Sequence, residues 1–408
     1  MSVAARGAGT IVFLSYWGSD EPLTFSTVLP TLRMLVAEGM ARRVVLCTVE
    51  RPGRRPPMLT VPPGCTHVQW SSTTGLPKPL ARAVDVLRMR RRLAHVLRHE
   101  SPDLVMARGV IAGGLAHRVA TRLRIPYAVD YFEPHADYMA DVGVWSRGGL
   151  MYRGLKRLIT AQTRTALRMV CVSHNYRRML MAEGVDGDRI LVAPCPVDAA
   201  LMRFDGSARV RNRACLGIGA GPVAIYLGKF GGLYHREHAF RAFARFLERA
   251  GHDAHMIIRT PEPVEHVLDG MRRAGADPHR VHVGFARHDE VPGWLSASDI
   301  AFAPYRGTPS SACISPMKIG EYWANGLPVV LTRGVGDDSA IIDAEPLGGA
   351  VFDPEGDDLD DALDRVLAVV CTPGQRSATA ALAERHRSMA LTREAYARIL
   401  EAWAAIRP

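Results

Sequence analysis

Short apolar runs rich in β-branched residues alternate with longer stretches of helical periodicity along almost the whole chain. In the first half the runs are Thr10–Tyr16, Arg43–Val49, Thr66–Trp70, Leu104–Arg108, Tyr127–Tyr131, Met169–Ser173 and Arg189–Ala193. Helical patterns such as Pro79–His99 and Ile111–Leu123 lie between them. The second half restarts the series with Val223–Gly228, His255–Thr260, Val281–Phe285, Ile300–Tyr305, Pro328–Thr332 and Gly349–Asp353. Strands apolar on both faces need cover on both, and a strand followed by a helix returns parallel. The pattern therefore predicts α/β architecture built on parallel sheets. The alternation breaks at the polar, arginine-rich residues 203–221, which end in GIGAGP and read as a linker. Two doubly wound, Rossmann-like domains facing across a cleft are expected, residues 1–202 and 222–385. A final helical segment, 386–408, has no strand partner and is expected to brace the first domain. In such sheets ligands bind outside the carboxyl ends of the strands, so chemistry belongs in the loops that follow them.

Composition narrows the class. With 408 residues, 48% of them hydrophobic and 23% charged, the chain can bury sizeable cores and is not of disordered type. Its seven cysteines are scattered, with no C-x-x-C pair, which suits reduced thiols in a cytoplasm and neither a disulfide framework nor a zinc site. The apolar stretch Ile11–Trp17 is too short for a membrane span and reads as a first strand. A cytoplasmic location is expected, with contact to the inner membrane face through the basic amphipathic helix at residues 82–98. The net charge of +10 favours phosphate-bearing partners. Only four of the 51 basic residues are lysines: Lys78, Lys156, Lys229 and Lys318. No nucleic-acid partner, metal or cofactor is expected. Walker A and H-E-x-x-H sequences are absent, GIGAGP precedes a strand instead of following one, and His235/His238 and His279/His282 read as surface and turn residues.

The segment Ser310–Thr332, SSACISPMKIGEYWANGLPVVLT, is the richest. Ser315 before Pro316 reads as a helix start, with an oxygen at the cap and proline in the first turn. The helix is expected over Pro316–Asn325, with Gly326 as its stop. The run Ile300–Tyr305 precedes it, so the helix start lies beside strand ends. Backbone N–H groups and the helix dipole there suit a diphosphate. Lys318, in the first turn, opposes the dipole, a conflict that a bound anion would resolve. Glu321 is spaced to accept hydrogen bonds from two ribose hydroxyls. Without a ligand, the two would form only a surface pair worth about 0.2–0.5 kcal/mol.

These stretches as a set resemble the GT-B retaining glycosyltransferases of glycosyltransferase family four (glycosyl transferases group 1). SPMKIGEYWANGLPVV is similar to that family's donor-binding helix, with Glu321 at the position of its ribose-binding glutamate. AIYLGKFGG resembles the strand end where a basic residue meets the donor phosphates, which implicates Gly228 and Lys229. VHVGFARHDEVPGWLSASDIAFAPYR is similar to the stretch that contacts the base. This implies contacts near Gly284, Phe285 and Arg287, with Tyr305 and Arg306 close to the donor. Val172–Asp198 resembles the end of the family's first domain. The resemblance further implies that Cys313, Ile314, Ser315, Pro316, Met317 and Lys318 line the diphosphate, and that Gly18 and Ser19 form a turn approaching it. In AVDYFEPHADYM, His135 and then Glu133 are the candidates to touch donor sugar or acceptor. Two positions depart from the family pattern. Cys313 replaces a second glutamate, in a subgroup-like S-P-x-K variant, and Tyr234 replaces a lysine whose charge Arg236 or Lys318 would supply.

The resemblance thus implies retaining transfer from a nucleotide diphosphate sugar, without a metal, with His135, Glu133, Lys229 and Lys318 as the catalytic candidates. A glycan, a lipid-linked sugar or a small natural product is the expected acceptor. The same residues leave open a sugar-nucleotide epimerase, or a non-catalytic partner subunit, to which Cys313 points.

Overall fold

The computed structural model describes residues 7–53, 56 and 58–407, and the chain divides into two compact units. The first comprises Met1–Pro194 with Ala390–Pro408, the second Cys195–Met389.

Seven strands form the first unit's sheet: β1 (Ala8–Ser15), β2 (Ala41–Glu50), β3 (Cys65–Ser71), β4 (Leu104–Arg108), β5 (Tyr127–Tyr131), β6 (Met169–Cys171) and β7 (Ile190–Val192). Their order is β3-β2-β1-β4-β5-β6-β7, and each neighbouring pair is parallel. The second sheet has six: β8 (Val223–Leu227), β9 (His255–Arg259), β10 (Val281–Gly284), β11 (Ile300–Ala303), β12 (Val329–Thr332) and β13 (Gly349–Phe352). It is again wholly parallel, in the order β10-β9-β8-β11-β12-β13. Each sheet reverses its winding once, between β1 and β4 and between β8 and β11, and a doubly wound fold binds ligands at such a point. Both units are thus Rossmann-like.

Alternation along each strand separates the second unit's core into two layers. Ile225, Leu227, Ile257, Ala301 and Val329 pack on one face with Ile319, Tyr322 and Trp323 of the helix Met317–Ala324. Tyr226, Met256, Ile258, Phe302 and Val330 pack on the other, against Phe240, Phe243 and Phe246 of the helix Arg236–Arg249.

Strand ends differ from the sequence expectation by one or two residues, for local reasons. The run expected over Ile300–Tyr305 stops at Ala303 because Pro304 has no N–H for a ladder. Tyr305 pairs instead with Tyr234 in an isolated bridge.

Residues 203–221 are not a linker. They contain the helix Gly206–Cys215, capped by Asp205, whose carboxylate accepts from Ser207 N and Ala208 N. Arg213 of this helix is buried and donates to Asp299 Oδ2 at 2.6 Å and to the carbonyls of Ala297, Gly219 and Gly221. Two arginines of the run, Arg209 and Arg213, both reach Asp299 and bind the segment to the second unit. The division falls earlier, at Pro194 and Cys195.

At the other end the chain returns to the first unit after Met389. The helix Met389–Ala405 buries Ala395, Tyr396, Ile399, Leu400 and Trp403, and the Tyr396 hydroxyl donates to Asp130 Oδ2 at 2.8 Å.

Candidate active site

The second unit's candidate residues gather at the end of β8. Gly228 follows the strand with φ of +119°, a region that glycine tolerates best, and its N–H donates to Arg259 O at 2.8 Å. A Cβ here would also lie 2.4 Å from Lys318 Nζ, so a larger residue would push the lysine tip aside. Lys229 is exposed and its carbonyl accepts from the Tyr226 hydroxyl at 2.6 Å. The chain then turns through Gly231–Tyr234 and is fastened to the loop after β11. Arg306 N donates to Leu233 O at 2.7 Å, and His235 N to Pro304 O at 3.3 Å.

Lys318 reaches into this corner from the helix Met317–Ala324. Its Nζ stands 3.9 Å from the centroid of the Tyr234 ring and 5.0 Å from that of Tyr226. The ammonium is buried and pairs with no carboxylate among the described residues; Tyr234 is its polar neighbour. Cation–π attraction of about 2 kcal/mol per desolvated contact compensates only part of what an ammonium loses on leaving water. Burial alone would raise the Tyr234 hydroxyl, but Lys318, with a hydrogen bond from Tyr305 and the charge of Lys229, outweighs it and holds the group below its ordinary value. Arg236, the other candidate to supply charge beside Tyr234, is committed to Glu262 and lies over the Phe230 ring. Of the two, Lys318 is the one whose charge sits at Tyr234.

The helix itself is shorter than expected and differently started. Pro316 occupies the cap position and no side chain caps the helix. Ser315, the expected cap, instead accepts from Cys195 N at 3.0 Å and from Arg387, whose guanidinium also binds the buried Asp338. A competing donor, the buried arginine, captured the serine hydroxyl. Tyr322 ties the helix to the sheet by accepting from Leu227 N at 3.1 Å, and Gly326 ends it with φ of +80°. Glu321 makes no side-chain hydrogen bond or ion pair among the described residues. Burial raises its carboxyl above the ordinary value, opposed by the charges of His288 and Lys318.

Around this centre, Tyr305, Cys313 and Ile314 are buried, and Arg306 carries a buried Nε without a partner among the described residues. Gly284 ends β10, Phe285 beyond it is exposed, and Arg287 is paired at the surface with Asp289. Arg259, at the end of β9, stacks on Trp294 with 3.6 Å between guanidinium carbon and ring centroid. Neither it nor the tyrosine pair around Lys318 was read as functional from sequence. Asp338 is engaged by Arg387. Among the described residues one trio, His235, His238 and Glu355, brings metal-ligand atoms within 4.8 Å of one another. The two imidazoles lie nearly parallel, 7° apart, so their in-plane lone pairs run side by side and do not converge on one ion.

In the first unit, Gly18 and Ser19 form the turn after β1, but Glu50 occupies it. Ser19 N donates to both Glu50 oxygens, at 3.1 and 3.0 Å, and the Ser19 hydroxyl accepts from Gln69. Ser19 is 2% exposed, so its amide is spent inside the unit. His135 and Glu133 form a pair, Nδ1 to Oε1 at 2.6 Å, with the imidazole edge-on to Trp145. The carboxylate at Nδ1 orients the ring. Asp130 is engaged by Tyr396, with Arg108 Nε 3.7 Å away.

Two family descriptions match this chain: Glycosyltransferase Family 4 over residues 31–201, and Glycosyl transferases group 1 over residues 221–369. Among curated proteins none matches. Solved structures do. Sucrose-phosphate synthase from Thermosynechococcus elongatus superposes with a TM-score of 0.75 at 14% identity, covering 97% of this chain and 100% of the other. Anabaena HepE in complex with UDP gives 0.69 at 14%, covering 96% and 100%. WaaG, a glycosyltransferase involved in lipopolysaccharide biosynthesis, gives 0.61 at 17%, covering 97% and 99%. With both halves matched, and with one doubly wound sheet in each unit, the chain belongs to the family 4 and group 1 glycosyltransferases of GT-B fold.

Proposed function

We propose that this glycosyltransferase moves a sugar from a nucleotide diphosphate donor to a glycan, lipid-linked or small-molecule acceptor, with retention of configuration and without a metal. The observation that carries the donor reading is the Lys318 ammonium, buried between Tyr226 and Tyr234 with no carboxylate paired to it among the described residues. A buried cation without an anion is a costly arrangement, and a diphosphate at the β8–β11 switch point supplies the missing charge. HepE, a structural neighbour, was solved with UDP and with UDP-glucose.

In this reading, cleavage of the sugar–phosphate bond builds negative charge on the leaving diphosphate. Lys318, Lys229 and the start of the helix Met317–Ala324 stabilise that charge more as it grows, which lowers the barrier. Glu321 holds the ribose. A donor phosphate oxygen takes the acceptor proton, and His135, oriented by Glu133, positions the transferred sugar or the acceptor. Lipid-linked acceptors would bring the enzyme to the cytoplasmic membrane face. The helix Lys78–Glu100 supports this contact: Leu80 and Leu87 are exposed on it, and Arg90, Arg91 and Arg98 line a groove with Arg118 and Arg122. Among the described residues no helix is long and apolar enough to cross a membrane.

Mass spectrometry after incubation with a panel of donor sugars and extracted acceptors tests the proposal. Release of nucleoside diphosphate, with the sugar on an acceptor or on water, is expected. Conversion of the donor to an epimer without nucleotide release would replace it with the epimerase reading. Nucleotide binding without turnover of any donor would point to a partner subunit.

A further inference from the structure

We propose that Arg259 reads the keto oxygen of the donor's nucleobase, so that uridine or guanosine diphosphate is preferred to its amino counterpart, cytidine or adenosine diphosphate. The inference rests on the donor-site reading above. With the diphosphate at the junction of β8 and β11, we take the nucleoside to lie over the strand ends on the β8 side, those of β9 and β10. Arg259 is the last residue of β9. Two positions before it, Ile257 packs in the core layer that contains Ile319 and Tyr322, so Arg259 shares the face of the donor helix.

Its guanidinium is held for a purpose that no residue around it explains. The residue is 8% exposed, holds its guanidinium over the Trp294 ring, and forms neither a side-chain hydrogen bond nor an ion pair among the described residues; Nε is buried and unsatisfied. Burial pushes it down to about 10. Glu290, the carboxylate whose charge reaches it, is already occupied: Oε2 accepts Arg287 N at 2.8 Å. Gly284, at the end of β10, leaves the room, since a Cβ there would stand 2.6 Å from Arg259 Nη1. A fixed planar donor with unfilled protons, at the strand ends where a base would lie, selects an acceptor. Uracil O4 and guanine O6 are acceptors, while cytosine and adenine carry amino donors at the same edge.

Titration calorimetry on the full chain with UDP, CDP, GDP, ADP and inorganic pyrophosphate tests this. The wild type should bind UDP over CDP, or GDP over ADP, by about tenfold or more, the scale of one good base contact. Arg259→Met keeps a stem on Trp294 and should bring the ratio within about twofold, leaving pyrophosphate affinity unchanged. Arg259→Lys keeps the charge without the fork; it should retain pyrophosphate binding, lose most of the discrimination, and stand in should the methionine variant melt early. A preference that survives both substitutions overturns the proposal, as does a parallel loss of pyrophosphate affinity. Nucleotides and pyrophosphate binding to wild type without keto preference would overturn Arg259's role alone. Failure of all five ligands to bind would remove the donor site itself.

Discussion

Lys318 and Glu321 stand one helical turn apart, yet their surroundings differ. The lysine is enclosed by Tyr226 and Tyr234, and the glutamate is half-buried with no hydrogen-bond donor among the described residues. Lys318→Ala and Lys229→Ala should each lower kcat/KM for the donor by about 10²–10³, the scale of one preorganised donor lost from an oxyanion site. Steady-state kinetics on folded variants checks this, and unchanged turnover contradicts both roles. Glu321 adds a pH dependence. Its carboxyl is raised by burial, so it protonates at a higher pH than an exposed glutamate and then loses an acceptor for the ribose hydroxyls. Nucleoside diphosphate affinity should therefore fall as pH drops through that raised value. In Glu321→Gln the carboxyl's share of the pH dependence should vanish; equal pH profiles for the two proteins would remove Glu321 from the site. The helix that carries Lys318 and Glu321 was legible in the sequence to within a residue at each end, because a proline, a glycine stop and a preceding strand bracket it. Arg259 was not, because an arginine at a strand end reads as solvent-exposed until Trp294 is seen beneath it. At Tyr234 the sequence offered Arg236 or Lys318 as the replacement charge, and packing puts the Lys318 ammonium there while Arg236 pairs with Glu262.

At the scale of elements, strand positions were readable throughout, since parallel strands buried on both faces are continuous apolar runs. What sequence could not show was which polar segments are drawn in by buried partners. Arg213 with Asp299 turned an expected linker into a helix of the second unit, and Arg387 with Asp338 took Ser315 from its helix. A further element-level consequence lies at the sheet edge. His282 of β10 and His255 of β9 face each other at 3.1 Å. Burial, with His255 and Arg259 adding positive charge, pushes His282 down to about 4 from an ordinary 6.5. The unfolded chain takes up this proton near 6.5 while the folded chain resists until about 4, so across that window the unfolded state binds more protons. Stability should be fully retained above the window and fall as pH drops through it. Urea unfolding of His282→Asn should show a flatter dependence than wild type, with His255 keeping part of the slope. An identical slope would show that the pair is not the source.

At the scale of the whole chain, the return of Ala390–Pro408 to the first unit links the two ends of the sequence. Tyr396→Phe leaves Asp130 without its hydroxyl donor and should destabilise the first unit by about 1–3 kcal/mol, measured by chemical denaturation. An unchanged midpoint would mean that this contact is energetically idle. Deleting residues 390–408 uncovers the site of Tyr396, Ile399 and Trp403 and should leave the first unit aggregation-prone in light scattering. The identity of the fold was recoverable from strand–helix alternation, whereas the acceptor was not. Recognition of an acceptor rests on surface loops that no spacing rule specifies.

We propose Lys318 as the seat of the donor's diphosphate. A crystal structure of the protein with UDP or GDP tests it most directly. The account predicts a diphosphate oxygen within about 3 Å of Lys318 Nζ, at charge-assisted hydrogen-bond length, at the carboxyl end of β8. A nucleotide bound elsewhere, with the ammonium still closed between Tyr226 and Tyr234, would contradict it.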